Sequence, residues 1–270
     1  MQTITKLTTA LAISALAALS AASAQAATFT YFGNNAVDQA ANGFVPASGS
    51  AAVAARSTFL GTLATSQVEN FDAKTQGFVP SPSNPLPVFG SLGALTQGLT
   101  ASGEPLSGFI QGIKTVGPVF PGRFDTTSGG GGSGKWWESG DNFTLNFSSA
   151  INAIGFYGTD FGDFGGALTL DFFSGATAVD SNVAVGRDSG GRNGSLLFFG
   201  YANDSANFNR VVFKIAQQTT IVGRFDILGF DDMVVGNLRV NMGVPEPGSL
   251  ALVALSLGLL ASVARRRQRG

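Results

Sequence analysis

"NFTLNFSSAINAIGFYG", residues 142–158, is the stretch on which the fold turns. Phe143, Leu145 and Phe147 alternate with polar residues, and Ile151, Ile154 and Phe156 follow beyond Ser148-Ser149. A period of two places successive side chains on opposite faces of an extended chain, so this is a strand with one buried face. The Ser-Ser pair reads as a turn into a second strand. Downstream, "GALTLDFFSG" (166–175) and "ATAVDSNVAV" (176–185) form a hairpin about a Ser-Gly turn. "SLLFFGYA" (195–202), "NFNRVVFKI" (207–215) and "RFDILGFDDMVVGNLRV" (224–240) complete a series of short strands at intervals of about ten residues. No helical pattern separates them. The reading is a mainly β protein, an antiparallel β-sandwich of the jelly-roll or lectin-like kind.

Upstream the chain is less regular. "PASGSAAVAARSTFLGTLA" (46–64) offers Ser48 and Ser50 as caps, then Val53, Phe59, Leu60 and Leu63 at helical spacing, which predicts one short helix. "SQVENFD" (66–72) reads as the first core strand. Residues 73–134 are rich in Gly, Pro and Ser and read as loops. "VPSPSNPLPVFG" (79–90) cannot lie in mid-sheet, because its prolines donate no ladder hydrogen bonds. "TTSGGGGSG" (126–134) lacks the Lys-Ser/Thr of a phosphate-binding loop and is read as a plain loop.

The two ends differ from the body. Residues 1–26 carry one early cation, Lys6, an apolar stretch and a small-x-small ending, so Ala24 and Ala26 mark a signal peptide cleaved before Ala27 by signal peptidase. The domain reading is therefore a signal peptide at 1–26, an N-terminal segment with its helix at 27–65, a sandwich at 66–243 and a separate tail at 244–270. The tail, "VPEPGSLALVALSLGLLASVARRRQRG", joins an apolar run to Arg265, Arg266, Arg267 and Arg269. The run reads as a C-terminal transmembrane helix near the short limit for spanning, with the arginines on the cytoplasmic side. Pro245 and Pro247 hold the segment before it extended and outside the bilayer.

Val244-Pro245-Glu246-Pro247, the apolar helix and the terminal arginines together resemble the PEP-CTERM sorting signal. That resemblance implies transient membrane anchoring, processing by an exosortase-type membrane protease, and release to the cell surface or the extracellular polysaccharide. "RFDTTSGG", "WWE", "FTLNFSSAINAIGFYGTDFGDFGGALTL", "LLFFGYAND" and "GFDDMVVG" are similar to blocks in a group of PEP-CTERM ectodomains, over about residues 119–236. This second resemblance implies a fold and a compartment, not an activity.

Composition narrows the chemistry. The chain has no Cys and no His, which excludes disulfides, thiolate chemistry and a Ser-His-Asp triad. Setting aside Lys6 and the four terminal arginines leaves 11 basic residues against 17 acidic, a balance unsuited to nucleic acid. Oxygen-rich loop ends suit calcium, and resemblance to lectin-like sandwiches, many of which hold a structural calcium where the first and last strands run side by side, implies Glu69, Asp231 and Asp232 as its ligands, with Asp160 and Asp163 as a second pair. Solvated turn carboxylates are the alternative. Trp136 and Trp137, with Tyr157 and Tyr201, are the candidate sugar-stacking rings, the alternative being that one Trp plugs the end of the sandwich and the other, pointing oppositely, is half exposed. The expectation is a non-catalytic surface or matrix protein that binds glycan. Its rivals are a carboxylate-based glycoside hydrolase or lyase, using Asp160 with Asp231 or Glu138 with Asp141, and a membrane-anchored structural protein of biofilm.

Overall fold

The structure, a computed structural model, describes residues 27–35, 48–103, 106–112, 122–126, 134–161, 166–186, 194–216 and 226–239. The signal segment and the tail lie outside the described residues. Among the described residues no helix is long and apolar enough to cross a membrane.

Thirteen strands and one helix are described. In chain order they are β1 (Thr28–Asn35), α1 (Ala51–Thr62), β2 (Leu63–Glu69), β3 (Leu86–Val88), β4 (Gly93–Gln97), β5 (Gly108–Gln111) and β6 (Trp136–Ser139), followed by β7 (Phe143–Ile151), β8 (Ala153–Thr159), β9 (Ala167–Ser174), β10 (Thr177–Ala184), β11 (Leu196–Asn203), β12 (Phe208–Ala216) and β13 (Leu228–Leu238). They form two antiparallel sheets. The first runs β1-β11-β8-β13-β6-β5, with β2 also paired to β13; the second runs β10-β9-β12-β7-β4-β3. From β6 onward successive strands change sheet at every step except the β9–β10 hairpin.

The sheets face each other across a seam of rings. Phe143 of β7 stacks on Phe213 of β12 at 4.3 Å and meets Phe230 of β13 edge-on at 5.0 Å. Phe156 of β8 contacts both Phe213 and Phe230, and Phe172 of β9 stacks on Tyr201 of β11 at 3.8 Å. Offset and edge-to-face pairs of this kind add about 0.5–1.5 kcal/mol each beyond burial.

The outer face of the first sheet carries α1. Ser50 caps the helix, its hydroxyl accepting from the Val53 amide at 3.3 Å. Phe59 lies over the cross-strand partners Gly155 and Gly200, where an added Cβ on either would approach its ring within 3 Å. Phe124, Tyr157, Phe198 and Val234 complete this second core.

Several sequence expectations change. β1 was not foreseen, and it makes "SQVENFD" the second strand rather than the first. Ser148-Ser149 does not turn the chain: β7 continues through it to Ile151, and the pairing with β12 shifts register between Phe208 and Arg210. The irregularity is a bulge, with the turn delayed to Asn152. Residues 73–134 are not all loop, since β3, β4 and β5 fall within them. Pro87 sits on β3, the edge of its sheet, where a missing amide hydrogen costs no ladder bond. The hairpin stands as read, its Gly175 at φ +60°.

Phe213→Ala removes the ring that touches Phe143, Phe156 and Phe230. We expect a loss of about 3–5 kcal/mol in chemical denaturation, against a much smaller effect for Phe29→Ala on the exposed part of β1.

Candidate functional site

β13 is the organising strand. β8 pairs along one side of it, while its other side is shared between β6 at Leu228–Phe230 and β2 from Met233 onward. Where the two neighbours part, the register with β8 breaks between Asp231 and Val234, and Asp232 takes φ +45°. A bulge in the middle of a strand thus turns two carboxylates toward the outer layer.

The segment 122–126 meets them there. The Thr126 amide and hydroxyl donate to Asp231 Oδ2 at 2.6 and 2.9 Å, and the Asp232 amide donates to Asp231 Oδ1 at 2.7 Å. Thr126 Oγ1 also reaches Asp232 Oδ2 at 3.2 Å. Asp231 is wholly buried. Burial, then the neighbouring charge of Asp232, and more weakly that of Asp125, push its pKa well above its ordinary value; the hydrogen bonds from Thr126 and Asp232 oppose the rise. Nearby, the Arg56 guanidinium lies 5.5 Å from the Tyr157 ring centre. Burial pushes the Tyr157 hydroxyl up to about 12, with Arg56 pulling down and Asp232 pushing up.

Two residues toward the start of β13, Arg123 joins two further carboxylates. Its Nε donates to Glu138 Oε2 at 2.8 Å and its Nη1 to Asp160 Oδ2 at 3.0 Å. Nη1 also reaches the Ile227 carbonyl at 3.3 Å. Asp160, at φ +65°, takes the Gly194 amide on its other oxygen. Arg123, Asp125 and Thr126 were not singled out from the sequence. The signal was present in "RFDTT", an alternation of charged and polar residues about a single Phe.

Among the described residues this geometry does not bring the expected calcium set together. Glu69 does not join Asp231 and Asp232. Its oxygens accept from the Phe71 and Phe89 amides, each at 3.0 Å, and Lys74 pairs with it at 3.0 Å. Phe71 and Phe89 both have left-handed backbone, φ 59° and 53°, so Glu69 holds two strained turns in place. Asp160 is committed to Arg123, and Asp163 lies outside the described residues. Among the described residues no three acidic side chains form a set able to hold a metal ion.

The expected sugar-stacking rings are corrected as well. Trp136, Trp137, Tyr157 and Tyr201 are 1%, 0%, 4% and 0% exposed. β6 lies between β5 and β13, so alternation sends Trp137 into the sandwich against Phe143 and Trp136 into the outer layer. There Trp136 Nε1 lies 3.4 Å from Glu138 Oε2. Tyr201 hydrogen-bonds Asp180 and Asn203 beneath the rim. For the hydrolase pairs, Asp160 and Glu138 share one arginine, while Asp141 is turned to the amide and hydroxyl of Ser107.

An open groove of about 610 Å³ lies at the far end of β13, lined by Phe29, Tyr31, Thr62, Asn152, Asp204 and Arg239. None of these was a candidate from the sequence.

A carboxyl group whose folded pKa is raised favours the fold most below its unfolded value, about 3.9, and that contribution is lost as pH rises through the folded value. Wild type should therefore lose stability relative to Asp231→Asn as pH rises from about 4 toward neutrality. Paired urea unfolding curves across that range test the sign.

None of the curated proteins compared matches the chain. Among solved structures, the K2 cleaved adhesin domain of Lys-gingipain (Kgp) is similar at TM-score 0.37 and 13% identity, over 63% of this chain and 97% of that one. Residues 243–268 match the PEP-CTERM protein-sorting motif. Such a motif implies an exported protein, processed by an exosortase and sorted to the cell surface or beyond it. Through residues 243–268 the chain carries a PEP-CTERM sorting motif.

Proposed function

We propose that this is a non-catalytic protein of the cell surface or extracellular polysaccharide, exported by a cleaved signal peptide and handed on through its tail. The observation that carries the reading is the motif at 243–268. The body is a jelly roll of lectin-like type: β6 to β13 lie in the orders 6-13-8-11 and 7-12-9-10, the arrangement of two interlocked Greek keys. The absence of a catalytic role is supported by the commitment of Glu138, Asp160 and Asp231 to buried hydrogen bonds, which leaves none poised over a cleft. The test is the intact mass of the mature protein from its host. The expected species begins at Ala27 and ends near Pro247; retention of Arg265–Arg269 would make the tail a permanent anchor.

Saccharide contact, in this reading, belongs to the groove at the end of β13. Phe29 is 43% exposed there, with Tyr31 beside it on the same face of β1. The Asn152 side-chain nitrogen Nδ2, the terminal nitrogens of Arg239 and the second oxygen of Asp204 make no hydrogen bond among the described residues. A ring face flanked by unspent planar donors and acceptors suits sugar hydroxyls. The acidic balance of the body favours neutral over acidic glycan. Neutral oligosaccharides cut from the host's own polysaccharide should bind, and Phe29→Ala should weaken them about tenfold in calorimetry. Phe32→Ala, on the opposite face of β1, should not. Equal affinity across all three proteins would remove the groove from the reading.

A further inference from the structure

We infer that Asp204 is the seat of the mature amino terminus, a binding site for the ammonium that signal-peptide removal creates. The inference rests on the proposed cleavage between Ala26 and Ala27. The Ala27 nitrogen donates to Asp204 Oδ1 at 3.0 Å, and the Asp204 amide donates back to the Ala27 carbonyl at 3.2 Å. In the uncleaved chain that nitrogen is a neutral amide. Hydrolysis of the Ala26–Ala27 bond adds water, leaving a carboxylate on Ala26 and an ammonium on Ala27. The same hydrogen bond then joins opposite charges, and charge-assisted bonds are roughly twice as strong as neutral ones.

The position is selective to a single residue. A chain beginning one residue earlier carries its ammonium one residue's length beyond the carboxylate, and one beginning at Thr28 loses the partner altogether. Ala27 is also where the first-sheet ladder starts, since Thr28 pairs with Asn203, the residue before Asp204. β1 is the edge of that sheet, and edge strands without a terminal hold fray first. What the seat fixes extends inward: Tyr31 packs edge-on to Phe59, so holding β1 also holds α1. The charged and titratable groups around the seat are Tyr31 on β1 and Arg239 beyond β13, both lining the same groove.

The direction of the pH effect follows from the pairing. An ammonium facing a carboxylate has its folded pKa raised above the ordinary α-amine value of about 7.7–8.0. Its contribution is therefore full below that value and lost as pH rises through the folded one.

The experiment compares the protein processed in its host with Asp204→Asn, which keeps the oxygen acceptor and removes the charge. N-terminal sequencing comes first, and a chain that begins elsewhere than Ala27 overturns the cleavage reading and the seat together. For chains that begin at Ala27, acylation of the α-amine near pH 7 is expected to be about threefold slower in wild type than in Asp204→Asn, as for an exposed ion pair. The Tm difference between the two should be present below pH 8 and vanish at higher pH. Equal acylation rates, or a Tm difference that does not change with pH, overturn the seat while leaving the cleavage reading intact.

Discussion

The contact between the Phe143–Phe213 stack and the Phe156–Phe230 pair is the one on which everything else rests. With no cysteine in the chain, no disulfide ties the two sheets together, and the seam of rings must hold them. Each buried ring contributes roughly 1.5–3 kcal/mol. The conformational entropy opposing folding is of order 1–2 kcal/mol per residue for the backbone alone. A strand order that interleaves distant segments needs a core this dense in aromatics, because only large side chains repay so many long loop closures.

The polar groups of the outer layer follow from that architecture. Covering the sheet with α1 and the 122–126 segment buries Glu138, Asp160 and Asp231. An uncompensated buried charge costs several kcal/mol, which Arg123 offsets for the first two. Among the described residues no cation pairs with Asp231, so its burial raises its pKa instead, and the Thr126 and Asp232 hydrogen bonds only moderate the shift. Two solutions to one problem therefore stand a few residues apart on the same strand. Both fix how a covering segment lies on a sheet.

Much of the fold was legible because alternation is a local property. The strands from Phe143 to Leu238, the hairpin at Gly175 and the Ser50 cap were all readable from neighbours within a few residues. β1 was missed because "TFTYFGNN" places Phe29 and Phe32 on opposite faces, both substantially exposed, so no buried face is written into it. The Ser148-Ser149 bulge imitates a turn in sequence, and only the partner strand decides between them. The candidate site was less legible still. Trp136 and Trp137 suggested a ligand surface by type, yet their exposure depends on whether β6 is an edge or an interior strand. Glu69 suggested a cation ligand; Phe71 is a local partner two residues on, but Phe89 is known only once the chain has folded back on itself.

Both ends of the body leave from the same pole. Ala27 bonds Asp204, Asn203 bonds Asn152, and Asn152 bonds Leu238, with Arg239 held to Thr62 alongside. A precursor with a signal segment before Ala27 and an apolar tail after Arg239 would therefore hang from the bilayer by two adjacent attachments. Two points of suspension fix a body's rotation about the membrane normal, whereas one leaves it free to swivel. Removing the first segment of such a precursor would restore a rotational freedom and removing the second would restore translation, so two such cuts would release it in mechanically distinct steps.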